Sequence, residues 1–136
     1  MDAQIRVMVT GAAGRMGREV VKAVCGGDGL VLAGAVDVAL VGQDAGTVAG
    51  IGPIGVPIRA DLDAALRDSR PDVMVDFTIA RAAQANIITA IDHGVRFVVG
   101  TSGMGPEAIE AILHKADVRG AAGAIVPNFA LGAVLM

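Results

Sequence analysis

"VMVTGAAGRMGREVVKAV", residues 7–24, passes from an apolar run through three glycines into a helical pattern. Gly11, Gly14 and Gly17 remove the Cβ atoms that would keep a ligand from the backbone, and the residues after them offer helix N–H groups with no partner in the helix. Such a turn suits an anion. The run before it, Ile5 to Val9, predicts a first strand, and Arg15 to Val24 a helix with Met16, Val20, Val21 and Val24 on one face.

The unit repeats along the chain. Gly26, Gly27 and Gly29 stop the first helix, and Leu30 to Val36 predicts a second strand. "VALVGQDAGTVAGIGPIG", Val38 to Gly55, has no clear period and reads as a long mobile loop. A short strand at Val56 to Ile58 leads to a helix from about Asp61, whose side chain suits a cap, to Asp68. Asp72 to Phe77 predicts a strand, and Arg81 to Asp92 a helix stopped by Gly94. Val95 to Val99 predicts the most evidently buried strand, Pro106 opens a helix ending near Lys115, and Ala124 to Val126 is a sixth strand. Strands alternating with helices predict an α/β, Rossmann-type doubly wound fold: a mostly parallel sheet of about six strands with helices on both faces.

Composition agrees. The 136 residues suffice for one domain, and with 54% hydrophobic residues but no Trp or Tyr the core must be Val, Ile, Leu, Ala and Met. A net charge of −3 without a Lys/Arg cluster argues against a nucleic-acid or anionic-membrane partner. No apolar run reaches the ~18 residues of a membrane span, and no signal-peptide pattern opens the chain, so a cytoplasmic setting is expected. Cys25 stands alone; it reads as a small buried hydrophobe near a helix end. No metal site is expected.

In such folds ligands bind beyond the carboxyl ends of the strands. Every unusual stretch falls there: Gly11 to Gly17, Asp37, "DFT" at Asp76 to Thr78, "GTSG" at Gly100 to Gly103, and "PNF" at Pro127 to Phe129. Asp37 lies 20 positions after Gly17, where a carboxylate accepts from the adenosine ribose hydroxyls, while the pyrophosphate sits on the helix N-terminus. The spacing is GxxGxxG rather than the commoner GxGxxG. "TGAAGRMG" would also fit a short-chain dehydrogenase, but that chemistry needs a Tyr, and there is none.

"VMVTGAAGRMGREV", "DAG" at Asp44 to Gly46, "VMVDFT" at Val73 to Thr78, "VVGTSG" at Val98 to Gly103 and "VPNFALGAVLM" at Val126 to Met136 together resemble the 4-hydroxy-tetrahydrodipicolinate reductases (dihydrodipicolinate reductases) of diaminopimelate and lysine biosynthesis, in order over essentially the whole chain. The resemblance is to their N-terminal dinucleotide-binding domain. It implies a cofactor, NADH or NADPH, and a small cyclic dicarboxylate substrate, with a homo-oligomer expected for the full-length protein. By position, Gly11, Ala12, Ala13, Gly14, Arg15 and Met16, with Gly17, would hold the pyrophosphate and Asp37 the ribose. Phe77 and Thr78 would line the nicotinamide side. Gly100, Thr101 and Ser102 would bind the carboxamide, with Thr101 or Ser102 also near a substrate carboxylate. Val126, Pro127, Asn128 and Phe129 would pass under the cofactor. Phe77 and Phe129 also suit plain packing, and Thr101 and Ser102 a turn or a cap for the Pro106 helix.

Two positions depart from many relatives: Val38 and Ile79 stand where Arg is common. Arg15 is left as the cation for a 2′-phosphate, so NADH is expected to serve at least as well as NADPH. The family's substrate domain, with a His-His-rich motif and a Lys, is expected to lie outside residues 1–136, leaving no catalytic group in the chain. His93 and His114 fall at predicted helix C-termini, and Lys22 and Lys115 on helices away from the strand ends. A regulatory NAD(P)-sensing domain and another amino-acid-pathway dehydrogenase, such as an aspartate dehydrogenase, stay open as alternatives.

Overall fold

The computed structural model describes residues 4–100 and 104–126. Six strands, β1 (Ile5–Thr10), β2 (Leu30–Val36), β3 (Ile58–Arg59), β4 (Val73–Asp76), β5 (Arg96–Val99) and β6 (Gly123–Ile125), form one sheet in the order β3-β2-β1-β4-β5-β6. Every pairing in it is parallel. The helices are α1 (Arg15–Gly26), α2 (Ala45–Ala49), α3 (Leu62–Ser69), α4 (Ala80–Asp92) and α5 (Pro106–Arg119).

Alternation along β1 divides the core in two. Val7 and Val9 face α1 and α2, packing with Val21, Val24, Ala45 and Ala49. Met8 faces the other way, into a larger cluster with Leu66 of α3, Ile87 and Ile91 of α4 and Ile112 of α5. Burial of each such Ile, Leu or Val contributes about 1.5–3 kcal/mol, so covering both faces is what holds the sheet. Opposite Met8 the β1–β2 register shifts, bringing Met8 against Gly34, where a Cβ would lie 2.6 Å from the Met8 methyl carbon. The switch in strand order between β1 and β4 opens a crevice at the carboxyl ends, the place such sheets keep for ligands.

Four expectations need correction. Val38 to Gly55 is not an unstructured loop: Asp44 caps α2, accepting from the Thr47 N–H at 3.0 Å, and the same carboxylate takes the N–H groups of Ile54, Gly55 and Val56. Partial burial alone would raise the Asp44 pKa, but these four donors outweigh it and hold it below the usual value. A five-residue helix is too short to show a helical period, which is why the pattern missed it. Cys25 is exposed in the last turn of α1 rather than buried. Desolvation, then the nearby Asp44 carboxylate, push its thiol pKa up. His114 lies within α5, not at its end, because the helix runs on to Arg119 and closes at Gly120, whose φ is +67°. Finally, β5 is buried on one face only: Phe97 and Val99 point into the core while Arg96 and Val98 are exposed.

Candidate functional site

The glycine turn is built by its own backbone. Gly11 has a φ of +79°, and a Cβ there would lie 2.9 Å from the Phe77 carbonyl oxygen. At Gly17 the constraint is tighter, since a Cβ would fall 1.8 Å from the Gly11 carbonyl oxygen. These two glycines let β1, the β4 end and α1 meet. Gly14 differs: its Cβ would find only the Gly11 oxygen, at 3.4 Å, so its bare backbone faces open space.

The N–H groups of the turn are spoken for until the helix begins. Gly11 and Ala12 both donate to the Val36 carbonyl, Ala13 to Asp37 Oδ2 and Gly14 to the Gly11 carbonyl. Gly14 then caps α1 without any side-chain acceptor, and the first turn carries no acidic residue. The amides of Arg15, Met16 and Gly17 are therefore the ones left for an acceptor from outside, at the positive end of the helix dipole.

Across the crevice the β4 end holds a buried carboxylate. Asp76 is 0% exposed. Its Oδ1 accepts from the Thr78 N–H at 2.9 Å and the Thr78 hydroxyl at 2.6 Å, and its Oδ2 from Asn86 Nδ2 at 2.8 Å. Its carbonyl takes the Gly100 N–H. Gly100 is small because the Phe77 ring lies over it; a Cβ would come within 2.4 Å of Phe77 Cε1.

These elements enclose a cavity of about 450 Å³. Gly11, Gly14, Asp37, Phe77 and Thr78, drawn from three separate stretches of sequence, line it together, joined by Thr10, Val38, Ile79 and Asn86. Ala12 and Ala13 lie in the turn behind it, and Met16 and Gly17 in the first turn of α1. Arg15 is exposed and lines a different groove, with Arg18, Lys22 and Gly50, between α1 and α2. Gly100 is buried behind Phe77, and Val126, just after β6, donates to the Val99 carbonyl at 2.7 Å. Thr101, Ser102, Pro127, Asn128 and Phe129 lie outside the described residues.

Sequence reasoning missed Asp76 and Asn86 as site residues. Asp76 carried a signal, an acid ending an apolar strand; Asn86, ten residues on within a helix, carried none. Among the described residues no Lys or His lines the cavity. Lys22 pairs with Glu19, Lys115 with Asp92, and His93 Nε2 lies 2.7 Å from Asp63 Oδ1. Among the same residues no group of three His, Cys, Asp or Glu could hold a metal ion, and no helix is long and apolar enough to cross a membrane.

Comparison with known proteins matches this architecture. The chain is 45% identical over 136 residues to the 4-hydroxy-tetrahydrodipicolinate reductase of Moorella thermoacetica, an alignment that covers 100% of this chain and 51% of that protein. It is 49% identical to the enzyme of the same name from Cyanothece sp. PCC 7425, covering 97% and 50%. Among solved structures, the dipicolinate-bound dihydrodipicolinate reductase from Paenisporosarcina sp. TG-14 superposes with a TM-score of 0.79 at 30% identity, over 97% of this chain and 50% of that one. The chain thus spans about half the length of these relatives. Residues 5–129 match the family model described as "Dihydrodipicolinate reductase, N-terminus", and the chain belongs to that family.

Proposed function

We propose that this chain is the NAD(P)H-binding domain, residues 1–136, of a reductase that converts 4-hydroxy-tetrahydrodipicolinate to tetrahydrodipicolinate in diaminopimelate and lysine biosynthesis. The observation that carries the reading is the pairing, in one cavity at the β1/β4 switch, of a helix N-terminus that has no side-chain cap with the Asp37 carboxylate. The residues present fit a dinucleotide. Gly14 leaves room for a pyrophosphate against the amides of Arg15, Met16 and Gly17. Asp37 spends one bond from each carboxylate oxygen on Ala13 and Ala39, keeping acceptor capacity on both for ribose hydroxyls. Phe77 and Thr78 form the apolar and polar walls of the nicotinamide end, with Gly100 behind them. Thr101, Ser102 and Val126 to Phe129 complete that end, and Thr101 and Ser102 also meet a substrate carboxylate.

The bound cofactor supplies the hydride; this chain orients it and excludes water from one side. NADH serves at least as well as NADPH. Asp37 would repel a 2′-phosphate, its neighbour Val38 is 91% exposed and uncharged, and Arg15 lies on another groove. The proton donor and the clamp for the cyclic dicarboxylate come from the half of the protein beyond this chain, which works as a cytoplasmic homo-oligomer. The test is NADH oxidation with freshly generated substrate, run on the 136-residue chain and on a chain extended to the length of its relatives. Turnover is expected only from the extended chain. Comparable turnover by the short one would place the catalytic groups within residues 1–136 and overturn the division of labour.

A further inference from the structure

We propose that Asp76, braced by Asn86, makes the β4 corner of the cavity selective for a ligand group that donates a hydrogen bond, a carboxamide rather than a carboxylate. The inference rests on the dinucleotide reading above and adds the group that reads the amide end.

The argument starts from the direction of one hydroxyl. Asp76 Oδ1 and Oδ2 each take a fixed N–H donor, from Thr78 and from Asn86, an arrangement that uses the carboxylate purely as an acceptor. The Thr78 hydroxyl, 2.6 Å from Oδ1, must then supply the hydrogen of that contact. Its remaining capacity is lone pairs, of which Asn86 Nδ2 makes only a long claim at 3.4 Å. Thr78 lines the cavity and so offers an arriving ligand an acceptor, with no proton to give.

Charge sharpens the choice. Asp76 is wholly buried behind Thr78, where a like charge is poorly screened, so a carboxylate or phosphate brought to this corner meets repulsion as well as an unmatched lone pair. At Gly14, which lines the same cavity, the N-terminus of α1 favours negative charge. The two ends therefore have opposite preferences, and a dinucleotide is oriented with its pyrophosphate toward Gly14 and its amide toward Thr78. Asn86, which also lines the cavity, acts as a positioning residue: its Nδ2 fixes the carboxylate plane through Oδ2 and makes its other, longer contact with the Thr78 hydroxyl.

The experiment compares binding of NADH and of reduced nicotinic acid adenine dinucleotide, which differs only in carrying a carboxylate for the carboxamide, by calorimetry. Wild type is expected to bind the acid analogue at least about tenfold more weakly, and Asp76→Asn to cut that ratio to about threefold or less. Thr78→Val provides a second route if Asp76→Asn does not fold. It should weaken NADH about tenfold and leave the analogue nearly unchanged, while Thr78→Ser restores the wild-type ratio. Equal binding of both ligands by wild type, or an unaltered ratio in both Asp76→Asn and Thr78→Val, would overturn the inference and leave the dinucleotide reading standing. Binding of neither ligand by folded wild type would overturn both.

Discussion

Asp37 Oδ2 accepts the Ala13 N–H at 2.9 Å, so the carboxylate at the end of β2 holds the glycine turn in shape. On the dinucleotide reading proposed above, one side chain thereby joins two jobs: it fixes the backbone that would meet the pyrophosphate, and it lines the cavity where the ribose would lie. Its other oxygen takes the Ala39 N–H at 3.1 Å, which sets the carboxylate's orientation from the loop side as well.

Replacing Asp37 should therefore disturb both ends of the adenosine half. Asp37→Ala is expected to weaken NADH by at least about tenfold, roughly 1.4 kcal/mol, and to shift the balance between the two cofactors toward NADPH. Val38→Arg, which adds a cation beside an intact Asp37, should move preference toward NADPH with little loss of NADH affinity. Paired titrations with the two cofactors check this. A wild-type preference of about tenfold for NADPH would show that Arg15 dominates over Asp37.

The two helix-side glycines should separate cleanly. Gly17→Ala must push the Gly11 carbonyl away from a contact of 1.8 Å, and overpacking of this kind costs about 1–3 kcal/mol. Gly14→Ala meets only one ordinary contact at 3.4 Å, and loss of a glycine cap costs less than about 1 kcal/mol. Urea unfolding followed by far-ultraviolet circular dichroism is the suitable readout, since the chain has no Trp or Tyr. Equal midpoints for the two variants would contradict the packing described for Gly17.

Asp44 should give the stability a pH signature. Its pKa is lowered in the folded chain, because four backbone N–H donors outweigh the effect of burial. The stabilisation is thus fully present above the unfolded carboxylate value, about 3.9, and fades as pH falls through the lower folded value. Asp63, held down by the hydrogen bond from His93, and Asp92, by that from Lys115, act in the same direction. Asp44→Asn keeps an oxygen for Thr47 but has no charge to lose, so its thermal midpoint should fall less steeply than wild type on going from neutral to acid pH. Parallel slopes would show that the Asp44 charge adds nothing.

Among the described residues, the strands and four of the five helices were legible because each carries its own local pattern. Leu30–Val36 was read to the residue, bounded by Gly29 and Asp37. Asp61 announced α3 as its cap, and its side chain does accept the Ala64 N–H. What stayed hidden depends on contacts made across the chain. Asp44 gathers amides from residues up to twelve positions away, which no helical or strand period encodes. Likewise, the glycine turn and "DFT" announced a ligand end, but Asn86 becomes part of the site only when α4 packs beside β4 and brings its amide to Asp76. The one-sided burial of β5 was misread for a related reason: its run is apolar enough for a buried strand, and only the helix layout leaves Val98 exposed.

The central claim, that a dinucleotide rests on the glycine turn, is tested most directly by calorimetric titration of NADH into wild type and Gly14→Val. Gly14 is open on the side where a side chain would grow, so the variant is expected to fold like wild type by circular dichroism. The account predicts one NADH bound per wild-type chain and a loss of at least about tenfold in affinity for the variant, because the branched side chain would occupy the pyrophosphate's place. Unchanged NADH affinity in folded Gly14→Val would contradict it.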